Sequence, residues 1–214
     1  QQVFDRQNEA MKLFLLRTSL LEEFSEDLCR KVIGTPLGLQ EVNWHTMIEV
    51  VQRDNLFALP LEDDTLHLRY HHLFRDFLQD RMRREYPEDA LKIEKSLAAW
   101  YIESRDWERA MAIYARIGNV DQVSDLIRDA SPGLILGGKL VTLTEWIDTL
   151  PESEKNTRPE ILSIMGAVAM MRDASQQSME LLVNAIAGLR KTGLYQDLIA
   201  ALTRRSTVNR YFGN

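Results

Sequence analysis

The chain has 214 residues, 45% hydrophobic and 27% charged, enough for one large globular domain or two ordinary ones. Gly 10 and Pro 6 are too few for an all-β sandwich or barrel, which needs a turn signal every ~8–12 residues. The single cysteine, Cys29, excludes an intrachain disulfide framework and any Cys-based zinc site, and fits a reducing, cytoplasmic setting. The net charge of −6 comes from 26 basic and 32 acidic groups spread along the chain, so neither half carries the basic footprint that neutralises nucleic-acid phosphates.

No basic segment followed by an apolar run marks a signal peptide. The longest uncharged stretch, Ile161 to Met171, is far short of the ~20 residues of a membrane span and reads as a buried helix. Expected partners therefore include no membrane. The chain opens on Gln1 rather than Met, and the expectation is a piece of a longer protein.

In chain order, Ala10, Met11, Phe14 and Leu15 fall at helix spacing, with a break at Thr18-Ser19. Ser25 is the expected N-cap of a helix over Glu26–Val32, with Gly34 as its stop, followed by a loop from Thr35 to Gln40. Asn43 caps a helix from Trp44 to about Arg53 that buries Trp44, Met47, Ile48 and Val51. The period then changes. The apolar run Leu56–Leu61, the polar Glu62–Thr65 and the alternating Leu66–Tyr70 spell a β-hairpin with one buried face. Leu73, Phe74, Phe77, Leu78 and Met82 return to helix spacing, ending in Arg81, Arg83 and Arg84 before Pro87.

Helices, a small hairpin and another helix make a winged-helix-like unit over residues 1–86. Two readings of it stand: a DNA binder, or a structural or regulatory winged helix. The would-be recognition segment Trp44–Arg53 carries Glu49 and a single arginine, which favours the second reading. The arginines before Pro87 are read as a solvated helix end against a nucleic-acid patch.

The blocks Phe14–Leu21, Leu28-Cys29, Asn55-Leu56-Phe57 and Arg69–Leu78 resemble, in order and spacing, the segment after the ATPase core in MalT-like, ATP-dependent LuxR-family transcriptional activators of the STAND class. Leu134 to Pro151 resembles the early part of that family's helical sensor. Tyr70-His71-His72-Leu73-Phe74-Arg75-Asp76 is similar to the MHD-type motif of the related NB-ARC proteins, with His71 on the motif's histidine and His72 where the relatives have aspartate. The resemblance implies that His71 contacts a phosphate of bound ADP in the full-length protein. A helix N-terminus and an imidazole donor make that chemistry reasonable. The residues alone leave a second reading open, in which both histidines cap the helix and pack on the hairpin. His45 and His67 are isolated and read as structural. No metal-site spacing and no nucleophile elbow is present, so neither a metal nor catalysis is expected of this chain.

Gly133–Leu140 matches Gly-x4-Gly-Lys but has Leu140 where a phosphate loop needs Ser or Thr, and helix-spaced residues precede it where a strand is required. The expectation is a helix end at Gly137-Gly138 with Lys139 in solvent.

From residue 87 on nearly everything reads as helix. Trp107, Ala110, Met111, Tyr114 and Ala115 form a stripe behind Asp106, and Gly118 ends it. Asn119 or Asp121 opens the next helix, and Ser131-Pro132 caps a separate short one. Helix pairs begin near residues 88, 120, 159 and 195, intervals that suit tetratricopeptide-like hairpins. The expected fold is mainly α: a winged-helix-like domain over residues 1–86 and an irregular TPR-like α-solenoid over 87–214. The solenoid ends at Tyr211-Phe212 without a polar cap, which reads as truncation.

The resemblance thus implies a non-enzymatic regulatory and sensor piece. ATP or ADP is implied for the full-length protein, bound and slowly hydrolysed in a domain outside these residues. Implied partners are a small-molecule or protein inducer on the solenoid, other protomers through self-association, and DNA only through a further domain. The alternative is a free-standing helical-repeat scaffold that binds a protein and no nucleotide.

Overall fold

In the computed structural model, which describes residues 2–61 and 64–212, short polar side chains set most of the early helix starts. Asn8 Oδ1 accepts the Met11 N–H at 2.9 Å and opens α2 (Glu9–Thr18), which follows the short α1 (Gln2–Asp5). Ser25 Oγ accepts the Leu28 N–H at the head of α3 (Glu26–Cys29), and Asn43 Oδ1 accepts the Thr46 N–H at the head of α5 (Trp44–Arg53). Each satisfies a donor that the first helical turn leaves orphaned.

The expected stop at Gly34 is corrected. Helical backbone continues from α3 through a π-helical turn, Arg30–Gly34, into α4 (Thr35–Leu37). The stop is Gly38, at φ 68°, where the Leu39 N–H donates to Gly34 O and the Gly38 N–H donates to Thr35 O. That is a Schellman closure, which needs the left-handed backbone a glycine adopts without strain. Gly34 serves a different need, because a Cβ there would stand 3.3 Å from Trp44 Cζ2.

The hairpin pairs β1 (Ala58–Leu61) with β2 (Asp64–Tyr70), Ala58 opposite Tyr70 and Pro60 opposite Leu68. The Leu68 N–H and C=O both turn to the other side, where they bond Phe24 O and N at 2.9 and 2.8 Å. Pro60 therefore faces a position that asks no N–H of it. The expected turn at Glu62–Thr65 includes Glu62 and Asp63, which lie outside the described residues. After the hairpin come α6 (His72–Glu85) and α7 (Pro87–Glu103), Pro87 sitting at the first turn where its missing N–H costs nothing. Asp106 Oδ1 accepts the Arg109 N–H at the start of α8 (Trp107–Ile117).

The chain divides into two units between Ile113 and Tyr114. The core of the first is aromatic. Phe24 stacks on Tyr70 at 4.7 Å, Phe14 meets Phe24 edge-on and tilts against Trp44 at 6.0 Å, and Tyr70 meets Phe74 at 5.9 Å. The buried Tyr70 hydroxyl shares a 2.8 Å hydrogen bond with Thr18 Oγ1. Cys29 is fully buried, and burial pushes its thiol pKa up, so it behaves as a small apolar side chain.

The second unit is all helix: α9 (Val120–Leu136), α10 (Leu140–Asp148), α11 (Glu152–Thr157), α12 (Pro159–Met171), α13 (Ser175–Thr192) and α14 (Tyr195–Phe212). Ser131-Pro132 does not begin a helix; both lie inside α9. Proline cannot bond the carbonyl four residues back, that of Arg128, and the Ser131 hydroxyl donates to it instead at 3.1 Å. The apolar run Ile161–Met171 forms α12, buried along Ile161, Leu162, Ile164, Ala167 and Val168 and packed against α9 to α11, α13 and α14. Close approach to α13 depends on glycine. A Cβ on Gly166 would stand 2.8 Å from Leu182 Cγ, and one on Gly188 would stand 2.7 Å from Pro159 Cβ. Among the described residues no helix is long and apolar enough to cross a membrane.

Candidate functional site

The hairpin delivers its last strand directly into α6, and this junction holds both histidines of the motif. The His71 N–H donates to Phe57 O at 2.7 Å, which locks the strand end beside the start of β1. The His71 carbonyl accepts the Phe74 and Arg75 N–H groups, so His71 is the N-cap residue of α6. Its side chain makes no capping hydrogen bond, and no acidic residue lies in the first turn. His71 and His72 are both exposed, their rings 4.4 Å apart and tilted by 32°. The junction thus presents the positive end of a 14-residue helix with two imidazoles and no competing carboxylate in its first turn.

Arg75, one turn into the helix, adds a third nitrogen group. Among the described residues its Nε is buried without a hydrogen-bond partner, with Asp76 Oδ1 at 4.0 Å. Arg75 belongs to the same sequence motif and lies four residues after His71, one helical turn on, which is the local signal that brings it beside the histidine. Leu73 at 67% and Phe57 at 48% exposure border the junction with apolar surface. Phe57 has φ 55°, a left-handed conformation that an L-residue holds only under local constraint.

The other candidates separate from this site. Arg83 pairs with the nearly buried Glu94 at 3.0 Å. Arg81 bonds Glu85 at 2.8 Å and lies over the Phe4 ring at 4.6 Å, while Arg84 pairs with Asp80. These arginines are engaged within the protein. His45 lies between Glu26 and Glu49, each at 3.3 Å, and His67 is 3.7 Å from Glu23. On the outer face of α5, Arg53 is paired with Asp54. The one arginine of α5 is thus engaged by a neighbouring acid and not held ready for a phosphate.

At Gly133–Leu140 the N–H groups that a phosphate loop would aim at its ligand are already spent. Those of Gly137, Gly138 and Lys139 donate to the carbonyls of Gly133, Ile135 and Leu134, and Gly138 at φ 70° completes a Schellman end to α9. Lys139 is exposed. No group of three or more His, Cys, Asp or Glu side chains is placed to hold a metal among the described residues.

Residues 1–90 match the family model of the MalT winged helix domain. Over most of its length the chain is also similar to parts of longer proteins. It is 22% identical to the HTH-type transcriptional regulator MalT of Vibrio campbellii, over 98% of this chain and 23% of that protein. It is 24% identical to MalT of Klebsiella pneumoniae, over 75% of this chain and 17% of that protein. It is 26% identical to the serine/threonine-protein kinase PknK of Mycobacterium tuberculosis, over 72% of this chain and 13% of that protein. The chain spans less than a quarter of the length of these relatives.

Proposed function

Residues 1–90 are a MalT-type winged-helix domain, joined to TPR-like helices and homologous through most of the chain to MalT-type regulators, and on that premise we propose that this chain is the nucleotide-sensing arm and first sensor repeats of an ATP-dependent transcriptional activator. The winged helix, residues 1–86 in this reading, closes over ADP in the resting state. The helices of 87–214 receive an inducer or protein partner that weakens the closure and frees protomers to self-associate. Nucleotide hydrolysis and DNA contact belong to other parts of the protein. This is a bistable switch, biased by contacts made in one state and not the other.

The observation that carries the reading is the exposed His71 imidazole at an α6 N-terminus with no capping side chain and no first-turn acid. That donor set fits a phosphate: His71 would donate to one of its oxygens, with the helix dipole favouring the negative charge. His72 and Arg75 add nitrogen donors on the same turn. Bound ADP would supply only charge and shape at this point, and the chain's own residues do the recognising.

His71→Ala in the full-length protein should release ADP about tenfold faster, the scale of one lost charge-assisted hydrogen bond. Unchanged ADP retention together with unchanged basal activity would remove His71 from the switch. The alternative, a protein-binding scaffold without nucleotide, draws on one exposed face of α14, where Tyr195 is 73% exposed and Ile199, one turn on, is 59% exposed. A full-length protein that retains no ADP at all would favour it.

A further inference from the structure

In the second unit, a pocket of 140 Å³ opens between α10, α12 and the start of α13. An apolar cavity of about this size holds a benzene ring. Its apolar lining is Ile147 from α10, Met165, Val168 and Ala169 from α12, and Leu181 from α13, all buried or half-buried. Four polar side chains complete it: Thr144 and Asp148 on α10, Arg172 at the end of α12, and Gln177 in the first turn of α13.

Arg172 reaches across the opening to α10, where its Nη2 donates to Thr144 Oγ1 at 3.0 Å. Both side chains line the pocket, so this bond holds the guanidinium at the opening. The turn beneath is fixed: Asp173 is left-handed at φ 59°, and the Ala174 N–H returns to Ala169 O at 3.0 Å. A helix C-terminus favours a cation, but that does not account for the reach to α10. Arg128, Arg158 and Lys155 of the same unit each bond an acid, whereas among the described residues Arg172 meets the neutral Thr144 hydroxyl and no carboxylate. Its exposed head keeps further N–H donors for an anion. Asp148 brings the opposite charge, one helical turn or about 5–6 Å from Thr144 between Cβ atoms. Its Oδ1 lies 3.4 Å from Lys155 Nζ, which stands closer to Glu152, at 2.6 Å, and its side chain is 65% exposed. One cation and one anion thus flank a single apolar recess. A ligand with only a carboxylate would also face Asp148, and one with only an amine would also face Arg172; a ligand carrying both charges answers each.

We propose that this pocket binds an α-amino acid with a short aliphatic side chain, its carboxylate on the Arg172 guanidinium, its ammonium on Asp148 and its side chain among Ile147, Met165 and Val168. The planar guanidinium suits a carboxylate, and Met165 adapts to the shape of the side chain it meets. The proposal names the ligand class of the sensor helices and rests on that reading for its regulatory meaning, while binding itself is measured without nucleotide.

The test titrates the 214-residue chain with L-leucine, with isocaproate, which lacks the amine, and with isoamylamine, which lacks the carboxylate. The reporter is the Met165 methyl signal in NMR of methyl-labelled methionine. Leucine should shift it saturably at roughly millimolar concentration, as a ligand of this size warrants. Each single-charge analogue should bind about tenfold more weakly, the scale of one lost charge-assisted hydrogen bond. Arg172→Gln should bring leucine down to the level of isoamylamine, and Asp148→Asn should bring it down to that of isocaproate. Gln177→Trp should cover the opening and block all three. These positions are exposed, and the Met179 methyl, on α13 outside the lining, checks that the variants keep their fold. The proposal is overturned if leucine gives no saturable shift at Met165, if either analogue binds as tightly as leucine, if both charge variants bind leucine as the unaltered chain does, or if Gln177→Trp leaves the shift intact. Leucine binding that leaves ADP release from the full-length protein unchanged would support the pocket and count against the sensor reading alone.

Discussion

Thr18 and Tyr70, 52 positions apart, share a hydrogen bond in the first unit, whereas in the second α12 packs chiefly on α13 and α13 on α14, neighbours in the chain. The aromatic pairs of the first unit have the same long reach, Phe14 with Trp44 and Phe24 with Tyr70, and the Arg17–Asp89 ion pair spans 72 positions. The second unit is built from aliphatic and small residues, with Leu162, Ala185, Ile186, Leu189 and Ala201 forming one buried cluster. The first arrangement closes the chain on itself through contacts between residues far apart in sequence. The second is quasi-linear, each helix burying its apolar face on the next. A nucleotide-linked switch needs a unit that holds one shape, and a sensor needs a surface that can lengthen by repetition. Each design matches the role proposed for it.

Three substitutions probe this contrast. The largest effect is expected from Phe24→Ala, which removes the ring between Tyr70 and Phe14 and should cost about 3–5 kcal/mol. In a urea titration followed residue by residue by NMR, the signals of residues 11–78 should lose protection first, while those of α12 and α13 keep their midpoint. A common shift of both sets would show that the two units unfold as one, and the contrast would fail.

Gly166→Ala should act in the opposite place. The added methyl meets Leu182 at 2.8 Å, and prying α12 from α13 should cost about 1–3 kcal/mol. The loss should appear in the midpoint of the second unit and leave that of the first unchanged. A neutral outcome would mean that the helix pair slides freely enough to absorb a methyl group.

The smallest effect is expected from Tyr70→Phe, which loses one buried hydrogen bond worth about 1 kcal/mol at neutral pH. Burial raises the Tyr70 phenol pKa, and burial beside Glu22 holds that of Tyr101 up to about 12. A phenol whose folded pKa is raised stabilises the folded state below its unfolded value near 10. That stability drains as the pH climbs past 10 toward the folded value. The deficit of Tyr70→Phe should therefore shrink between pH 9 and 11, because the variant lacks the group that drives the loss. Urea midpoints over that range would check it, and a constant deficit would place the alkaline sensitivity elsewhere.

Local patterns were legible wherever a few adjacent residues decide the outcome. Asn43 and Asn119 cap the helices their side chains announce, and Gly118 and Gly138 stop theirs at positive φ. The hairpin followed from the switch in period at Leu56–Tyr70. The readings that failed were those where a side-chain contact outweighed the local backbone signal. Gly34 looked like a helix stop, but Trp44 packs against it and the backbone runs on through a π turn to Gly38. Pro132 looked like a helix start, but the Ser131 hydroxyl takes up the carbonyl that proline cannot serve. At the candidate site, the motif points to His71 and His72 and the spacing of four puts Arg75 one turn further on, but that the Arg75 Nε is buried without an acceptor follows from the packing of the helix and is not written in the local pattern.

By itself, the sequence determined the order of the main elements, the acidic charge balance and the helix-rich character of residues 87–214, since composition, period and capping act over a few residues at a time. Only the tertiary structure decided which polar groups are spent and which are left over. The arginines before Pro87 are tied to acids of the same protein, and the glycine-rich loop has donated its N–H groups to α9. The Arg17 and Arg75 Nε atoms remain without acceptors. Satisfaction of a buried donor is set by whatever the fold brings beside it, often from dozens of residues away, and no local pattern contains that information.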